Sequence, residues 1–366
     1  MKVDGHHYRS VWLTNNGLSV AVVDQTQLPF CFEVRTLRSC DEVVLAIKNM
    51  VVRGAPLIGA SAACGLRLAT LEDPSDDYLQ TQALALIAAR PTAINLRWAV
   101  DRVCSRLLQA NPKQRADIAL QEAQTICDED VDNNVCIGAH GETVFVEHWR
   151  AKGSTDPLNV LTHCNAGWLA TVDWGTALAP IFKAHDAGIP IHVWVDETRP
   201  RNQGAALTAW ELKAHGVPHT VIVDNAGGHL MQQGQVDLCI VGSDRTTRAG
   251  DVCNKIGTYL KALAARDNDV PFYVAVPSST IDWNISDGRK EIPIEERNKD
   301  EVLYVHGIGL DNVPTQVRVT TTSDALNPAF DITPKHLVTG LITERGICAA
   351  DELELLKLFP ENRTPT

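Results

Sequence analysis

The sequence predicts an α/β protein in which a small antiparallel sheet and a helical N-terminal domain precede a Rossmann-like domain with a parallel sheet. Up to about residue 130, short alternating segments lead into a series of helical patterns. After residue 157, apolar runs rich in Val and Ile alternate with helical patterns, as in parallel strands covered on both faces. A chain of 366 residues is also long for one core. We therefore expect two domains, residues 1–140 and residues 141–366, with most of the functional site in the second.

The N-terminal half is predicted from turn and capping signals. Asn15-Asn16-Gly17 separates two alternating segments and indicates a β-hairpin. Ser39 followed by Glu42 is a capping box at the start of a helix. A turn-rich stretch over residues 132–157, in which Thr143–Trp149 could be ordered, is expected to connect the two domains. Further helical patterns cover Leu57–Thr70, Leu79–Ala89, Asn95–Ala110 and Lys113–Asp130.

The second domain is predicted from its apolar runs, and the ends of those runs predict the site. Ligands of open parallel sheets bind beyond the carboxyl ends of the strands. The predicted strands are Asn159–His163, Ile191–Asp196, His219–Asp224, Leu238–Asp244 and Phe272–Pro277. The polar clusters that follow them are Cys164-Asn165, Asp196–Arg199, Asp224-Asn225, Ser243–Arg245 and Ser278–Thr280. A helix cap would explain any one cluster, but five at one edge favour a site.

Composition and missing motifs limit the ligand. The net charge of −12 argues against nucleic acid or an anionic membrane as the main partner. No apolar run has the length of a membrane span, and no secretory segment opens the chain. Ten cysteines without a Cys-x-x-Cys pair are typical of reduced thiols in a cytoplasmic protein and offer no zinc site. A dinucleotide-binding glycine motif and a Walker A loop are also absent, so we expect neither metal nor cofactor.

Asp244 and Cys164 are the strongest candidates for chemistry. Asp244 ends a buried strand, and a helix is predicted to open at Asn254-Lys255, an arrangement suited to an anionic small molecule. Cys164 precedes a predicted helix start, where unpaired amides would stabilise a thiolate. The alternative for Cys164 is a small buried apolar residue. His163 is a poor partner for this thiol, since consecutive strand residues point to opposite faces.

Further polar residues at helix junctions are candidates for substrate binding. Gly54, beside Arg53, allows close backbone approach, and Pro56 suits the start of the following helix, a good place for phosphate. Arg90 also lies at a helix junction. Both arginines would equally suit the surface, where most arginines lie. Gln203 belongs to a charged run between a strand and a helix that is suited to hydrogen-bonding a sugar.

These motifs together resemble the methylthioribose-1-phosphate isomerases of methionine salvage. The resemblance extends in order over nearly the whole chain, and its wider superfamily includes ribose-1,5-bisphosphate isomerases and regulatory subunits of a translation-initiation exchange factor. It rests on Met-Val-Val-Arg-Gly-Ala-Pro-Leu-Ile-Gly-Ala from Met50, Arg-Pro-Thr-Ala-Ile-Asn-Leu from Arg90, Leu-Thr-His-Cys-Asn-Ala-Gly from Leu161, Asp-Glu-Thr-Arg-Pro-Arg-Asn-Gln-Gly-Ala from Asp196, Gly-Ser-Asp-Arg from Gly242, Asn-Lys-Ile-Gly-Thr from Asn254 and Asn-Pro-Ala-Phe-Asp-Ile-Thr-Pro from Asn327.

The resemblance implies roles for nine residues. It makes Cys164 and Asp244 the catalytic pair, with Asp244 as the proton donor. The substrate-binding residues that it implies are Arg53, Gly54, Ala55, Arg90, Gln203, Asn254 and Lys255. It also implies a homodimer, a small-molecule sugar-phosphate substrate and no metal or cofactor.

The implied reaction is the isomerisation of 5-methylthioribose 1-phosphate to the ketose 1-phosphate. An acid must protonate the ring oxygen, and hydrogen must move from C2 to C1. It moves either as a proton, with a Cys164 thiolate as base, or as a hydride, with Cys164 shaping the site. Two alternatives remain open. One is the same chemistry on 5-deoxyribose 1-phosphate or ribose 1,5-bisphosphate, and the other is a non-catalytic sugar-phosphate or nucleotide sensor like the translation factors.

Overall fold

The computed structural model describes residues 1–90 and 93–363 and confirms the predicted fold class. A helical region with a small antiparallel sheet precedes a region built on a seven-stranded, mainly parallel sheet. Within these residues, no helix is both long enough and apolar enough to span a membrane.

The N-terminal region packs a three-stranded antiparallel sheet against helices, and its hairpin turns at Asn15–Gly17 as predicted. Its strands are β1 (Lys2–Val3), β2 (His6–His7), β3 (Val11–Thr14), β4 (Ser19–Val23) and β5 (Val34–Leu37). Its helices are α1 (Cys40–Lys48), α2 (Ala55–Glu72), α3 (Asp76–Ala89), α4 (Ile94–Gln109) and α5 (Arg115–Ala151). The Ser39 side chain caps α1 by accepting a hydrogen bond from the Glu42 amide at 3.1 Å.

The predicted turn-rich connection over residues 132–157 is wrong as far as Ala151, because α5 continues as one helix to that residue, and the order allowed for Thr143–Trp149 is confirmed. Its glycines are packing positions and not turns. A Cβ on Gly138 would lie 2.8 Å from the Lys183 side chain, and one on Gly141 would lie 2.3 Å from Pro180. The absence of side chains there lets the next helix approach α5 closely. The predicted division between residues 140 and 141 falls inside α5 and stays a prediction.

The C-terminal region is built on one large sheet with the strand order β18-β17-β12-β9-β6-β7-β8, parallel except for β18. The strands of this region are β6 (Leu158–Thr162), β7 (Ile191–Asp196), β8 (His219–Ile222), β9 (Leu238–Val241), β10 (Arg245–Thr247), β11 (Val252–Lys255), β12 (Phe272–Ala275), β13 (Ile281–Asp282), β14 (Tyr304–Ile308), β15 (Pro314–Arg318), β16 (Phe330–Thr333), β17 (Gly340–Thr343) and β18 (Gly346–Cys348). Its helices are α6 (Leu178–Asp186), α7 (Ala209–His215), α8 (Ala226–Gln232), α9 (Thr258–Asp267), α10 (Gly288–Glu291), α11 (Asp300–Leu303) and α12 (Glu352–Leu358).

The large sheet is covered on both faces, as its apolar strands require. One apolar core joins β6 and β7 to α6 and the end of α5. A second core joins β9 and β12 to α9 and α12 on the other face. Because the strands are parallel, their carboxyl ends meet at one edge, as predicted.

A second sheet, with the order β13-β10-β11-β16, was not predicted and changes the setting of two site residues. Asn254 and Lys255 lie on β11, which pairs with β10 on one side and β16 on the other. The predicted helix start at these residues is therefore wrong, since α9 begins at Thr258. A polar Asn-Lys pair resembles a helix cap in sequence, but here strand pairing on both sides fixes it in extended form.

Candidate active site

All nine predicted site residues line a single pocket at the carboxyl edge of the parallel sheet. They are Arg53, Gly54, Ala55, Arg90, Cys164, Gln203, Asp244, Asn254 and Lys255. The pocket adjoins a wider groove of about 690 Å³, with which it shares Met50, Arg53 and Gln203. One wall of that groove is the hairpin of β14 and β15, which the sequence did not predict. The N-terminal helices and the C-terminal sheet thus contribute to one site.

Gly54 lets the first turn of α2 approach the site closely. Its φ of 97° lies in the left-handed region that favours glycine, and a Cβ there would lie 2.5 Å from the Ala170 carbonyl oxygen. Gly54, Ala55 and Pro56 all line the pocket, so the N-terminus of an 18-residue helix lies at its wall. Unpaired backbone N–H groups and the helix dipole favour an anion at such a position.

Arg53 and Arg90 are buried or nearly so, and the surface alternative is wrong for both. Arg53 is 4% exposed, and its two terminal nitrogens donate to the carbonyl and side-chain oxygens of Asn165 at 2.6–3.1 Å. The Arg90 side chain is 10% exposed and pairs with Glu295 at 3.1 Å. Pro91 and Thr92, in the Arg90 motif, lie outside the described residues. Arg53 thus joins the N-terminal helices to the end of β6.

Cys164 has a strained backbone and a neutral thiol. Its φ is 66°, and its amide donates to Thr198 Oγ1 at 2.8 Å while its thiol donates to Gln203 Oε1 at 3.5 Å. The predicted helix beyond it is only a three-residue 3-10 turn, Trp168–Ala170. Burial raises the pKa of the thiol, although Lys255 and Arg53 act to lower it. The predicted helix start beyond Cys164 is therefore wrong, and burial opposes formation of a thiolate.

His163 lies next to Cys164 but turns away from it, as predicted. Its ring nitrogens lie 2.9 Å from Asp196 Oδ2 and 2.8 Å from the Ile256 carbonyl oxygen. His163, Asp196 and Asp224 have the spacing of metal ligands. Lys261 Nζ already lies 3.1 Å from Asp196 Oδ2, so an ammonium of the protein provides the positive charge there.

Asp244 lies between β9 and β10, half-buried at the pocket wall. Its amide donates to the Cys253 carbonyl at 2.9 Å, which fixes the strand end. Burial raises the pKa of its carboxyl group, while Lys255, Arg90 and Arg53 act to lower it. Burial has the larger effect, so this carboxyl group keeps its proton to higher pH than a solvated aspartic acid.

Lys255 brings a buried cation to the pocket from β11. It is 8% exposed, and its ammonium lies 4.8 Å from the centre of the Phe330 ring. Burial lowers the pKa of Lys255, whereas Cys164 and Asp244 act to raise it. An anionic ligand in the pocket would offset the cost of burying this ammonium.

The polar clusters at the strand ends do not all reach the pocket. Those of β6 and β9 do, through Cys164 and Asp244. Asp224 instead accepts hydrogen bonds from the amides of Thr198 and Arg199 at 2.7 and 2.8 Å, and so supports the neighbouring loop. The Ser279 hydroxyl accepts a hydrogen bond from Asn95 at 2.9 Å.

Sequence reasoning gave no role to several residues in or under the pocket, among them Phe330, Met50 and Glu211. Phe330 and Met50 lie in motifs that were recognised but were given no role. Glu211, on α7 beneath Asn165, carried no local signal, because a single acid in a helix is usually a surface residue. Only its burial in the folded chain marks it.

Comparison with known proteins identifies relatives over the full length of the chain. The Initiation factor 2 subunit family matches residues 51–350. The methylthioribose-1-phosphate isomerase of Methylorubrum populi is 62% identical over 364 residues, which cover 99% of each chain. The structure of 5-methylthioribose 1-phosphate isomerase from Pyrococcus horikoshii has a TM-score of 0.83 and 39% identity, covering 97% of this chain and 96% of that one. The structure of translation initiation factor eIF-2B, subunit delta, from A. fulgidus has a TM-score of 0.79 and 37% identity, covering 97% of this chain and 100% of that one.

Proposed function

This chain belongs to the Initiation factor 2 subunit family, among the methylthioribose-1-phosphate isomerases, and we propose that it converts 5-methylthioribose 1-phosphate to 5-methylthioribulose 1-phosphate. The observation that carries the proposal is one pocket that holds a carboxyl group with a raised pKa, a neutral thiol and a buried cation. An aldose–ketose isomerisation of a sugar phosphate uses each of these groups.

Asp244 is the proposed general acid. The anomeric oxygen of an aldose 1-phosphate is esterified, so the ring opens only when its own oxygen receives a proton. Because its pKa is raised, this carboxyl group keeps the proton to higher pH than a solvated aspartic acid would. Once Asp244 has donated it, the resulting carboxylate takes the proton that the C2 hydroxyl loses as the ketone forms. The acid is thereby restored without a net proton change.

Hydrogen moves from C2 to C1 as a hydride in this proposal. Proton abstraction at C2 would need a thiolate, but burial keeps the Cys164 thiol neutral against the two nearby cations. A hydride shift needs no base at C2. It needs a substrate held in one geometry with water excluded, and Cys164 contributes to the shape of that pocket.

The substrate phosphate is proposed to lie near Lys255 and the first turn of α2. The helix N-terminus and the ammonium both favour a dianion, and both line the same pocket. Arg90 adds a third positive group, although its ion pair with Glu295 partly neutralises its charge. Gln203 and Asn254, which both line the pocket, are proposed to hydrogen-bond the sugar hydroxyls.

A sensor without catalysis, the function suggested by the translation-factor relatives, is not favoured. Binding alone would need the cations and the helix N-terminus. It would give no use to a carboxyl group whose pKa is raised in the pocket.

We also propose that the enzyme is a cytoplasmic homodimer. Light scattering of the purified protein tests the dimer, because the mass of one chain is 40.0 kDa.

The proposed function is tested by comparing three substrates, namely 5-methylthioribose 1-phosphate, 5-deoxyribose 1-phosphate and ribose 1,5-bisphosphate. We expect turnover of the first, and turnover of the second with kcat/KM lower by about 10- to 200-fold, since a small apolar group gives limited discrimination. A second phosphate must desolvate in a pocket whose positive charge one phosphate already satisfies, so ribose 1,5-bisphosphate should react most slowly. Preferred turnover of the bisphosphate would contradict the proposed substrate.

A further inference from the structure

The proposed function gives no role to Glu211, the buried carboxylate on α7. It is 1% exposed and does not line the pocket, so it does not reach the substrate. Its Oε1 accepts from Asn165 Nδ2 at 2.9 Å and from the Leu169 amide at 3.1 Å, and its Oε2 accepts from the Trp168 amide at 2.9 Å. All three partners are N–H donors, so the site is built for a carboxylate.

Glu211 is connected to Cys164 through Asn165. The Asn165 side chain is held from two sides, by Arg53 at its oxygen and by Glu211 at its nitrogen. Thr208 completes the connection, because its hydroxyl accepts from Asn165 Nδ2 at 3.1 Å and donates to the Cys164 carbonyl at 2.7 Å. Glu211, Asn165 and Thr208 are all buried, so solvent does not compete for these hydrogen bonds and a change at Glu211 affects its partners directly.

The backbone of Cys164 needs such support. A non-glycine residue at a φ of 66° carries strain of about 1–3 kcal/mol and keeps that conformation only where neighbours impose it. The Thr198 hydroxyl fixes the Cys164 amide, and the Thr208 hydroxyl fixes its carbonyl. Asn165, the next residue, is fixed by Glu211.

Gly167 shows how closely the carboxylate fits against this loop. A Cβ on Gly167 would lie 1.9 Å from Glu211 Oε2, so the carboxylate occupies the space that any side chain there would need. The loop from Cys164 to Leu169 is therefore shaped around Glu211. Gly167→Ala would displace the carboxylate without altering its chemistry.

We propose that Glu211 is a positioning residue for the isomerisation, and that its carboxylate, acting through Asn165 and Thr208, holds Cys164 and Arg53 in position at the pocket. The inference rests on the proposed function. Burial raises the pKa of Glu211 to about 7, against the hydrogen bonds from Asn165, Leu169 and Trp168 and the charge of Arg53. Protonation of Glu211 would point a hydroxyl hydrogen at N–H groups, which cannot accept a hydrogen bond. We therefore expect the activity to fall as the pH drops through about 7.

The test compares Glu211→Gln, Gly167→Ala and Thr208→Val with Glu147→Gln, the same chemical change at an exposed position. We expect Glu211→Gln to lower kcat about 100-fold with KM nearly unchanged, the order expected when a reacting geometry shifts by about 1 Å. The fall in activity below about pH 7 should be absent in this variant, because Gln does not titrate. Thr208→Val removes the hydroxyl that links Asn165 to the Cys164 carbonyl and changes no charge. It therefore tests the same role if Glu211→Gln fails to fold.

The outcomes separate this inference from the proposed function. Wild-type kcat and pH profile in a folded Glu211→Gln or Thr208→Val variant would overturn the positioning role alone. A lower melting temperature with an unchanged pH profile would also overturn it, since that is the result of a purely structural role. If the wild type fails to turn over the substrate, the proposed function fails. The rate at which iodoacetamide alkylates Cys164 would then test the positioning role directly. Peptide mass spectrometry distinguishes Cys164 from the exposed Cys31 and Cys136. An unchanged alkylation rate of Cys164 in Glu211→Gln would overturn the positioning role.

Discussion

Replacement of Asp244 by Asn is expected to lower kcat by about 10³-fold, within the range of about 10²–10⁴ that a positioned general acid contributes. Asn keeps the size of the side chain but has no acidic proton for the ring oxygen. The fold should survive, because the Asp244 contact that fixes the strand end is made by its backbone amide. Steady-state kinetics and circular dichroism check the two statements. Asp267→Asn, at the exposed end of α9, is the matched control and should retain wild-type rates.

The pH dependence gives an independent check on Asp244. The protonated form is the active one, and burial raises its pKa, so wild-type kcat/KM should fall as pH rises through that raised value. The residual activity of Asp244→Asn should lack this fall. A folded Asp244→Asn variant with the wild-type rate and pH profile would remove Asp244 from the mechanism.

Replacement of Lys255 by Met should lower kcat/KM by about 10²-fold or more, mainly through a higher KM. Loss of one partner of a buried charge pair costs about 2–5 kcal/mol, and here the other partner is the substrate phosphate. Inhibition by inorganic phosphate should weaken in parallel. Lys48→Met, at the exposed end of α1, is the control.

The same variant should also change the pH profile. Lys255 acts to lower the pKa of Asp244, so its removal should move the fall in activity to higher pH. An unchanged KM, unchanged phosphate inhibition and an unchanged pH profile would show that the phosphate lies elsewhere in the pocket.

The fold class and the grouping of the site residues were both predictable from sequence. Apolar runs that alternate with helical patterns allow few arrangements, and a parallel sheet brings the ends of its strands to one edge. Cys164 and Asp244, at the ends of two of these runs, were therefore expected at one edge, and the neighbouring positions of β6 and β9 in the sheet bring them into one pocket. Sheet topology did not predict a position for Arg53, because this residue comes from the N-terminal helices. It was assigned to the site because it belongs to the recognised motif that begins at Met50.

The remaining features depend on packing that local sequence does not encode. Gly138 and Gly141 resemble turn residues until α6 lies against them, and Asn254 and Lys255 resemble a helix start until β10 and β16 pair with β11. Burial raises the pKa of Cys164, whereas Lys255 and Arg53 act to lower it, and only the folded pocket determines which effect is larger. Glu211 is one acid among 45 acidic residues in the sequence, and only its three N–H donors distinguish it.

The most direct test of the account is proton and phosphorus NMR of the folded protein incubated with 5-methylthioribose 1-phosphate that carries deuterium at C2. We expect conversion to the ketose 1-phosphate, with the deuterium transferred to C1, because Asp244 opens the ring and the hydrogen moves as a hydride. Unchanged substrate in the presence of folded protein would contradict the isomerase function. A ketose product whose new C1 hydrogen comes from water would contradict the hydride route and restore Cys164 as the base.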